Sequence, residues 1–505
     1  GEGYSQEDII AILSGKSVQK ASRASKQVYT QRKFNLLIDI QAKMAEGKSA
    51  GYERWAKKYN RKEAARTVCL LKEKGISDYL VKFAKDRGLE VIQDDAYNVV
   101  IKKAGSRGAE DHAPVMLQGH MDMVCEKRAG VEHDFEKDGL DLIIRDGRLT
   151  ANGTTLGGDN GVAVALMLMV LDDDEIEHPP VECVFTTEEE VGLNGAKALD
   201  KSVLKARTMI NMDSEDEGVA TVSCAGGLRV QFTKEIKRTV MQGSLLTLKV
   251  EGLLGGHSGQ DIDKERQNAD LLMARMIQRL FKETEGQLVS FNGGSKDNAI
   301  PRECEASLIY ESDEEAAKAE ELACELAETY AEELASAEPD FSCEISCETN
   351  RTAEAIPQDA AKEFICAMRL APNGIQKRNI KMDGFVVVSL NLGVVRTEED
   401  RIVMIFSPRS SVASLQEDTK ERLNTLAETF GFTVSHSSEY PGWSFKEDSP
   451  VREICKESYK ELFGEDLKIE AIHAGLECGL FSDAIKGLDA IAIGPTIANC
   501  HTPDE

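Results

Sequence analysis

Two hydrophobic periodicities divide this chain. Up to about residue 75 the apolar positions recur at helical spacing, as in YTQRKFNLLIDIQAKMAEG and GYERWAKKYNRKEAARTVCLLKEKG, with few β-branched runs. From SDYLVKFAKDRGLEV onward, short apolar runs that end in polar residues (VMLQGHMDMV, VECVFTTEEE, TMINMD, GLDAIAIGP) alternate with stretches of helical length, GVAVALMLMVL and ADLLMARMIQRLF. Buried strands alternating with helices predict an α/β fold with a mostly parallel sheet flanked by helices. Ligands in such sheets gather beyond the carboxyl ends of the strands.

The texture changes again between about Ala225 and Tyr440, from the glycine turn CAGG to EYPGW. This stretch has strand-like runs of its own, LLTLKVEG, EASLIYES, GFVVVSLNLG and RIVMIFS, and an acidic, alanine-rich helix, DEEAAKAEELACELAETYAEELA, whose charges read as a solvated face. The α/β pattern resumes after it, which predicts an inserted α+β domain. The expected organisation is a helical extension over 1–75, a catalytic domain in two parts over 76–226 and 442–505, and a lid domain over 227–441.

Composition narrows the function classes. A chain of 505 residues, 41% hydrophobic and 30% charged, is globular and long enough for two or three domains. No apolar run approaches the roughly 18 residues of a membrane span. The twelve cysteines are scattered without a CxxC pair, which suits reduced thiols and predicts a cytoplasmic location. A net charge of −27 argues against nucleic acid as partner of the bulk of the chain. Residues 1–75 are the exception, with 16 Lys and Arg against 8 Asp and Glu.

The candidate chemistry sits at strand ends. GHMDM puts His120 and Asp122 on one face straight after VMLQ. GGDNG places Asp159 in a glycine-rich loop before a helix, TTEEE follows VECVF, Asp213 follows TMI, and His501 follows LDAIAIGP and its loop. A run such as TTEEE alone reads as a solvated face. Five such transitions carrying His, Asp, Glu, Asp and His instead match what two Zn²⁺-like ions sharing a bridging carboxylate require, because borderline metals take imidazole nitrogen and carboxylate oxygen.

GHMDMV, GTTLGGDNG, TTEEEVGLNGA, NMDSEDEG with SCAGG, GGHSG, NAIPR, IHAGLECGL and GPTIANCHTPDE resemble the motifs of the aminoacyl-histidine dipeptidases, cytosolic Xaa-His dipeptidases among the co-catalytic zinc aminoacylases and carboxypeptidases. The resemblance runs from about Ser77 to the end. It implies that Asp159 bridges two divalent ions, Zn²⁺ first, with Co²⁺ or Mn²⁺ accepted by the same ligands. His120 and Asp213 would complete one site, Glu190 and His501 the other. Glu189 would be the general base toward a water held between the ions, Asp122 would orient His120 through its other ring nitrogen, and Glu188 has no assigned role. His257 in GGHSG would stabilise the oxyanion, in this family often across a dimer interface. Asn298 and Arg409 would bind substrate, the arginine through the dipeptide's carboxylate, with His473 and Glu477 lining the pocket.

The implied function is hydrolysis of dipeptides ending in histidine, β-alanyl-histidine included, by a homodimer. A deacylase or broader aminopeptidase of the same fold is the alternative within the class. An inactive scaffold or DNA-associated fusion is the alternative outside it. Over roughly fifty residues of 1–75 the chain resembles a helical stretch of mobilisation relaxases, without their catalytic tyrosine or histidine cluster. The dipeptidase resemblance also implies a further strand and helix after HTPDE, beyond Glu505, so a truncated carboxyl end is expected.

Overall fold

The computed structural model describes residues 73–505, apart from 136, 146–147 and 381–383. The relaxase-like stretch and residues 1–72 of the expected extension lie outside the described residues. Lys74 and Gly75 already belong to the first described helix. The chain divides into two compact units. One comprises residues up to Ser223 with Phe445–Ala471 and Leu476–Glu505, the other Cys224–Ser444 with Ile472–Gly475. This division differs from the expected boundaries by three residues on each side and by the Ile472–Gly475 stretch, which carries His473.

The first unit is built on an eight-stranded sheet. Its strands are β1 (Glu90–Gln93), β2 (Val99–Lys103), β3 (Val115–His120), β4 (Val181–Thr186), β5 (Thr208–Asn211), β6 (Val219–Cys224), β7 (Lys468–Ile472) and β8 (Asp489–Ala492), in spatial order β1-β2-β4-β3-β5-β8-β6-β7. Every residue of β3 and β4 is buried, which is why both read as continuous apolar runs. The neighbours along β4-β3-β5-β8 pair in parallel, while β1 with β2, β2 with β4 and β8 with β6 are antiparallel. The sheet is therefore mixed, with a parallel centre. The register sets Gln118 of β3 opposite Val184 and Asn211, and His120 opposite Thr186, so β3 and β4 end at one level and β5 two residues short of it.

Helices cover this sheet: α1 (Lys74–Asp86), α2 (Gly158–Asp172), α3 (Asn194–Ala198), α4 (Pro450–Phe463) and α5 (Glu477–Ala484). α2 packs on β3 and is apolar nearly all round, with Ala163, Val164, Met167, Leu168 and Leu171 among its buried residues. α4 has clear end signals. Ser449 Oγ accepts the Arg452 amide at 3.3 Å, Pro450 opens the first turn, and Gly464 closes the helix at φ +75°.

The second unit has a nine-stranded antiparallel sheet. Its spatial order is Ser342–Ala355, Thr239–Glu251, Cys304–Tyr310, Gln287–Gly293, Val386–Thr397, Arg401–Ser410, Gly226–Glu235 and Thr433–Tyr440, with Gly374–Arg378 added beside Val386–Thr397. Helices Ala269–Glu283, Asp313–Leu334, Gln358–Leu370 and Ala413–Thr429 share one apolar core with it, including Phe232, Leu248, Phe291, Phe364 and Phe406.

One carboxylate in this core carries a cost. Asp270, in the first turn of helix Ala269–Glu283, is wholly buried beside the Cys304 thiol, and burial pushes its pKa up to about 8. The folded chain keeps this proton while the unfolded chain releases it near pH 4. Stability therefore falls as pH rises between those limits, by about 1.4 kcal/mol per pH unit from this group. Denaturant unfolding of wild type and Asp270→Asn at pH 5 and pH 8 checks this. The variant is expected to lose much less stability than wild type on going from pH 5 to pH 8, and parallel losses would contradict it.

Candidate metal centre

Three strand ends and three loops of the first unit bring the site together. His120 is the last residue of β3, and Asp213 lies two residues beyond the end of β5. Beyond β4 the chain turns sharply: Thr187 donates its amide to Asn98 Oδ1 at 3.1 Å and its hydroxyl to the Ala96 carbonyl at 2.9 Å, and Glu188 adopts φ +50°. Glu189 and Glu190 follow on the partly buried side of that turn, while Glu188 is exposed. Asp159 sits at the start of α2, where Gly157 takes φ +70° and the Asp159–Asn160 peptide is cis. His501 lies in the loop after β8, at φ +65°.

The distances define two overlapping groups. His120 Nε2 lies 2.9 Å from Asp159 Oδ1 and 3.3 Å from Asp213 Oδ1. His501 Nε2 lies 3.2 Å from Asp159 Oδ2 and 3.1 Å from Glu190 Oε1. Asp159 therefore gives one oxygen to each group. His120, Glu189 and Glu190 also have ligand atoms within 4.8 Å of one another, as do Asp159, Glu215 and Cys500. His120 is buried, Asp159, Glu190 and Asp213 nearly so, and His501 is 48% exposed, which leaves an open side.

Asp122 is joined to both halves. With its proton on Nδ1, His120 donates to the Asp122 carbonyl at 3.1 Å, and the Asp122 carboxylate stands 3.4 Å away. That carboxylate accepts the Glu190 amide at 3.1 Å. One residue thus ties an imidazole on β3 to the backbone of Glu190 on the loop after β4.

The electrostatics fit a divalent cation. Burial works to lower the pKa of His120, yet the Asp213, Asp122 and Asp159 carboxylates outweigh it and raise the pKa well above its ordinary value. Asp159 and Glu190 hold His501 up at about 10. Glu189 is raised, by burial first and then by Asp213, and Asp213 is raised chiefly by burial. Five carboxylates packed with two imidazoles thus draw in positive charge wherever it can be had. Imidazole nitrogen and carboxylate oxygen are the donors that Zn²⁺-like ions take in place of those protons.

Several residues at the site escaped the sequence reading. Asn160 donates to the Met212 carbonyl at 3.1 Å and also to Asp213 Oδ1. Its only sequence signal was adjacency to Asp159. Asn211 donates to Gln118 Oε1 at 2.6 Å, and its own Oδ1 accepts the Asp213 amide at 3.2 Å. Gln118 Nε2 reaches Thr186 Oγ1 at 3.1 Å and also Glu477. Glu477 was expected to face substrate. It is wholly buried instead, its Oε2 accepting from Thr186 at 2.7 Å and from Gln118, and burial raises its pKa to about 7. Its setting is that of a brace under the strand ends.

The remaining candidates lie in the second unit. Strand Gly256–His257 pairs with Ala299–Ile300, and the Ser258 amide donates to the Asn298 carbonyl at 2.8 Å, so His257 and Asn298 are neighbours. His473 Nε2 lies 2.7 Å from Ser389 Oγ. Burial, with Arg409 nearby, lowers the pKa of His473 to about 3 and also lowers that of His257. Arg409 is 8% exposed; its Nη1 donates to the Tyr440 hydroxyl at 3.0 Å, and its Nε has no hydrogen-bond partner among the described residues.

Comparison with known proteins agrees with this chemistry. A family model described as peptidase family M20/M25/M40 matches residues 116–505. The cytosol non-specific dipeptidase of Escherichia coli (strain K12) is 36% identical over 439 residues, 86% of this chain and 89% of that protein. The crystal structure of aminoacylhistidine dipeptidase from Vibrio alginolyticus superposes with a TM-score of 0.81 at 36% identity, covering 88% of this chain and 91% of that one. Acetylornithine deacetylase of Myxococcus xanthus is 33% identical over 129 residues, 26% of this chain and 30% of that protein.

Cations that relieve this crowding are expected to stabilise the folded chain. Scanning calorimetry before and after chelator treatment is expected to show a melting temperature lower by about 5–10 °C without metal, taking about 2.7 kcal/mol for an ion at a hundredfold excess over its Kd. Zn²⁺ restores it in wild type and restores less in Asp159→Asn. A melting temperature indifferent to chelator and Zn²⁺ would contradict the reading of the cluster.

Proposed function

The chain belongs to peptidase family M20/M25/M40, and from that premise we infer that it is a metal-dependent dipeptidase acting preferentially on Xaa-His dipeptides. The observation that carries the chemistry is the sharing of Asp159 between His120 and Asp213 on one side and Glu190 and His501 on the other. The specificity is supported by the relative from Vibrio alginolyticus, whose name specifies an aminoacylhistidine substrate.

His120, Asp159 and Asp213 would hold one divalent ion and Asp159, Glu190 and His501 a second, most suitably Zn²⁺. Such ions supply charge that lowers the pKa of water toward neutrality and polarises a carbonyl. Glu189 takes the proton from the attacking water as its oxygen bonds to the scissile carbon. It then returns that proton to the nitrogen, so the C–N bond breaks with a neutral amine leaving. Asp122 keeps the His120 ring and the Glu190 backbone in place.

In this reading His257 donates to the oxyanion, in a homodimer that brings it to a partner subunit's site. Asn298 and His473 line the substrate site beside it. Arg409 receives the dipeptide carboxylate: a nearly buried guanidinium with an unsatisfied Nε gains a bidentate, charge-assisted pair when a carboxylate arrives. No helix among the described residues is long and apolar enough to cross a membrane. A cytoplasmic location is part of the proposal, supported by the name of the Escherichia coli relative.

Glu189→Gln tests the base. Turnover of β-alanyl-histidine and of other Xaa-His dipeptides is expected to fall about a thousandfold or more while metal content stays at the wild-type level. Undiminished turnover would refute the assignment. Release of histidine from dipeptides but not from longer peptides or N-acetyl amino acids is expected of the wild type. Faster hydrolysis of the acetylated substrates would favour a deacylase instead.

A further inference from the structure

Glu505 stands four residues after His501 and is itself nearly buried. Its Oε1 accepts the backbone N–H of Gly158 at 2.8 Å and of Asp159 at 3.4 Å. Its Oε2 accepts those of Leu156 at 3.2 Å and Gly157 at 3.3 Å. Four consecutive amides around the start of α2 thus converge on one carboxylate, the arrangement by which helix starts and nests hold anions. The fit is close: a Cβ on Gly158 would sit 3.1 Å from Oε1, so a side chain there would press on the clamp. The Thr150 hydroxyl fixes the Glu505 carbonyl from the other side. The loop so gripped carries Asp159, and the segment that grips it carries His501, whose ring lies 3.2 Å from Asp159 Oδ2.

We propose that Glu505 is a positioning residue for the metal centre. Its carboxylate staples the His501 segment to the Asp159 loop and so sets the spacing of two ligands that share one ion with Glu190. This rests on the metal reading given above. Glu505 acts through backbone amides and not on the ion or the substrate. Its neighbour Asp504 makes a different tether, an ion pair with Arg128 in which both side chains are exposed. Such a surface pair contributes little, so Asp504→Asn provides the control on the same segment.

The test is a competition titration of Zn²⁺ against a chelator, with calorimetric melting of each metal-free protein alongside. Wild type is expected to bind two ions, and His501→Ala identifies the binding step that depends on the His501 side. Glu505→Gln is expected to weaken that same step by about 10–100-fold, the size usual for lost outer partners of ligands. The other step should stay within about threefold, Asp504→Asn should leave both steps unchanged, and the metal-free melting temperature should stay near wild type. Glu505→Gln binding both ions as wild type does would overturn the proposal. So would an equal weakening of both steps accompanied by a lower metal-free melting temperature, which marks a general structural role. Wild type binding no pair of ions would overturn the metal reading itself, and this proposal with it.

Discussion

Mutual repulsion among buried carboxylates is the constraint that organises the first unit. Asp122, Asp159, Glu189, Glu190 and Asp213 meet within a few ångströms, with Glu477 buried under the strand ends. Their desolvation is costly unless positive charge comes with them. The raised pKa values of His120 and His501 express that demand in protons. Under the metal reading proposed above, a divalent cation would meet it with more charge and fixed geometry, which would couple folding to metal uptake in this unit.

The sheet supplies the accuracy this requires. The parallel strands β4 and β3 end at one level, with His120 beside Thr186, and β5 ends two residues earlier, with Asn211 beside Gln118. A buried ladder from Asn211 through Gln118 and Thr186 to Glu477 locks those ends together, and the Asp213 amide is tied into it through Asn211. The candidate ligands on loops are then fixed one against another: Asp122 holds the Glu190 backbone amide, and Asn160 holds Asp213. The proposed general-base role of Glu189 would need this stiffness, because such a base has to face a water and the leaving nitrogen in turn.

Much of this was legible in the sequence because strand ends are marked by an abrupt change from apolar to polar residues. VMLQGH, VECVFT and TMIN announce both the strands and the residues that follow them. Helix Gly158–Asp172 was similarly visible in its unbroken apolar stretch, although its first residues are bent out of helical geometry at Asp159. Strand Ser342–Ala355 went unread because it is an edge strand whose apolar alternation, Cys343, Ile345 and Cys347, is short and is followed by a largely exposed polar half. The antiparallel flanks of the first sheet were missed for a related reason: a buried apolar run has the same composition in either direction. Asn160, Gln118 and Glu505 stayed hidden because they act on other side chains and on backbone amides, and such partners are separated by 53, 359 and 347 positions for the Asp213, Glu477 and Gly158 bonds. Glu477 was noticed, but its burial was not, since a carboxylate in a sequence gives no sign of which side of a sheet end it will occupy.

Anomalous X-ray diffraction from crystals grown with Zn²⁺ tests the central claim most directly. The account predicts two peaks about 3.5–4 Å apart, one against His120, Asp159 and Asp213, the other against Asp159, Glu190 and His501. No peak at these side chains, or a strong peak held by other residues while these stay unliganded, would contradict it.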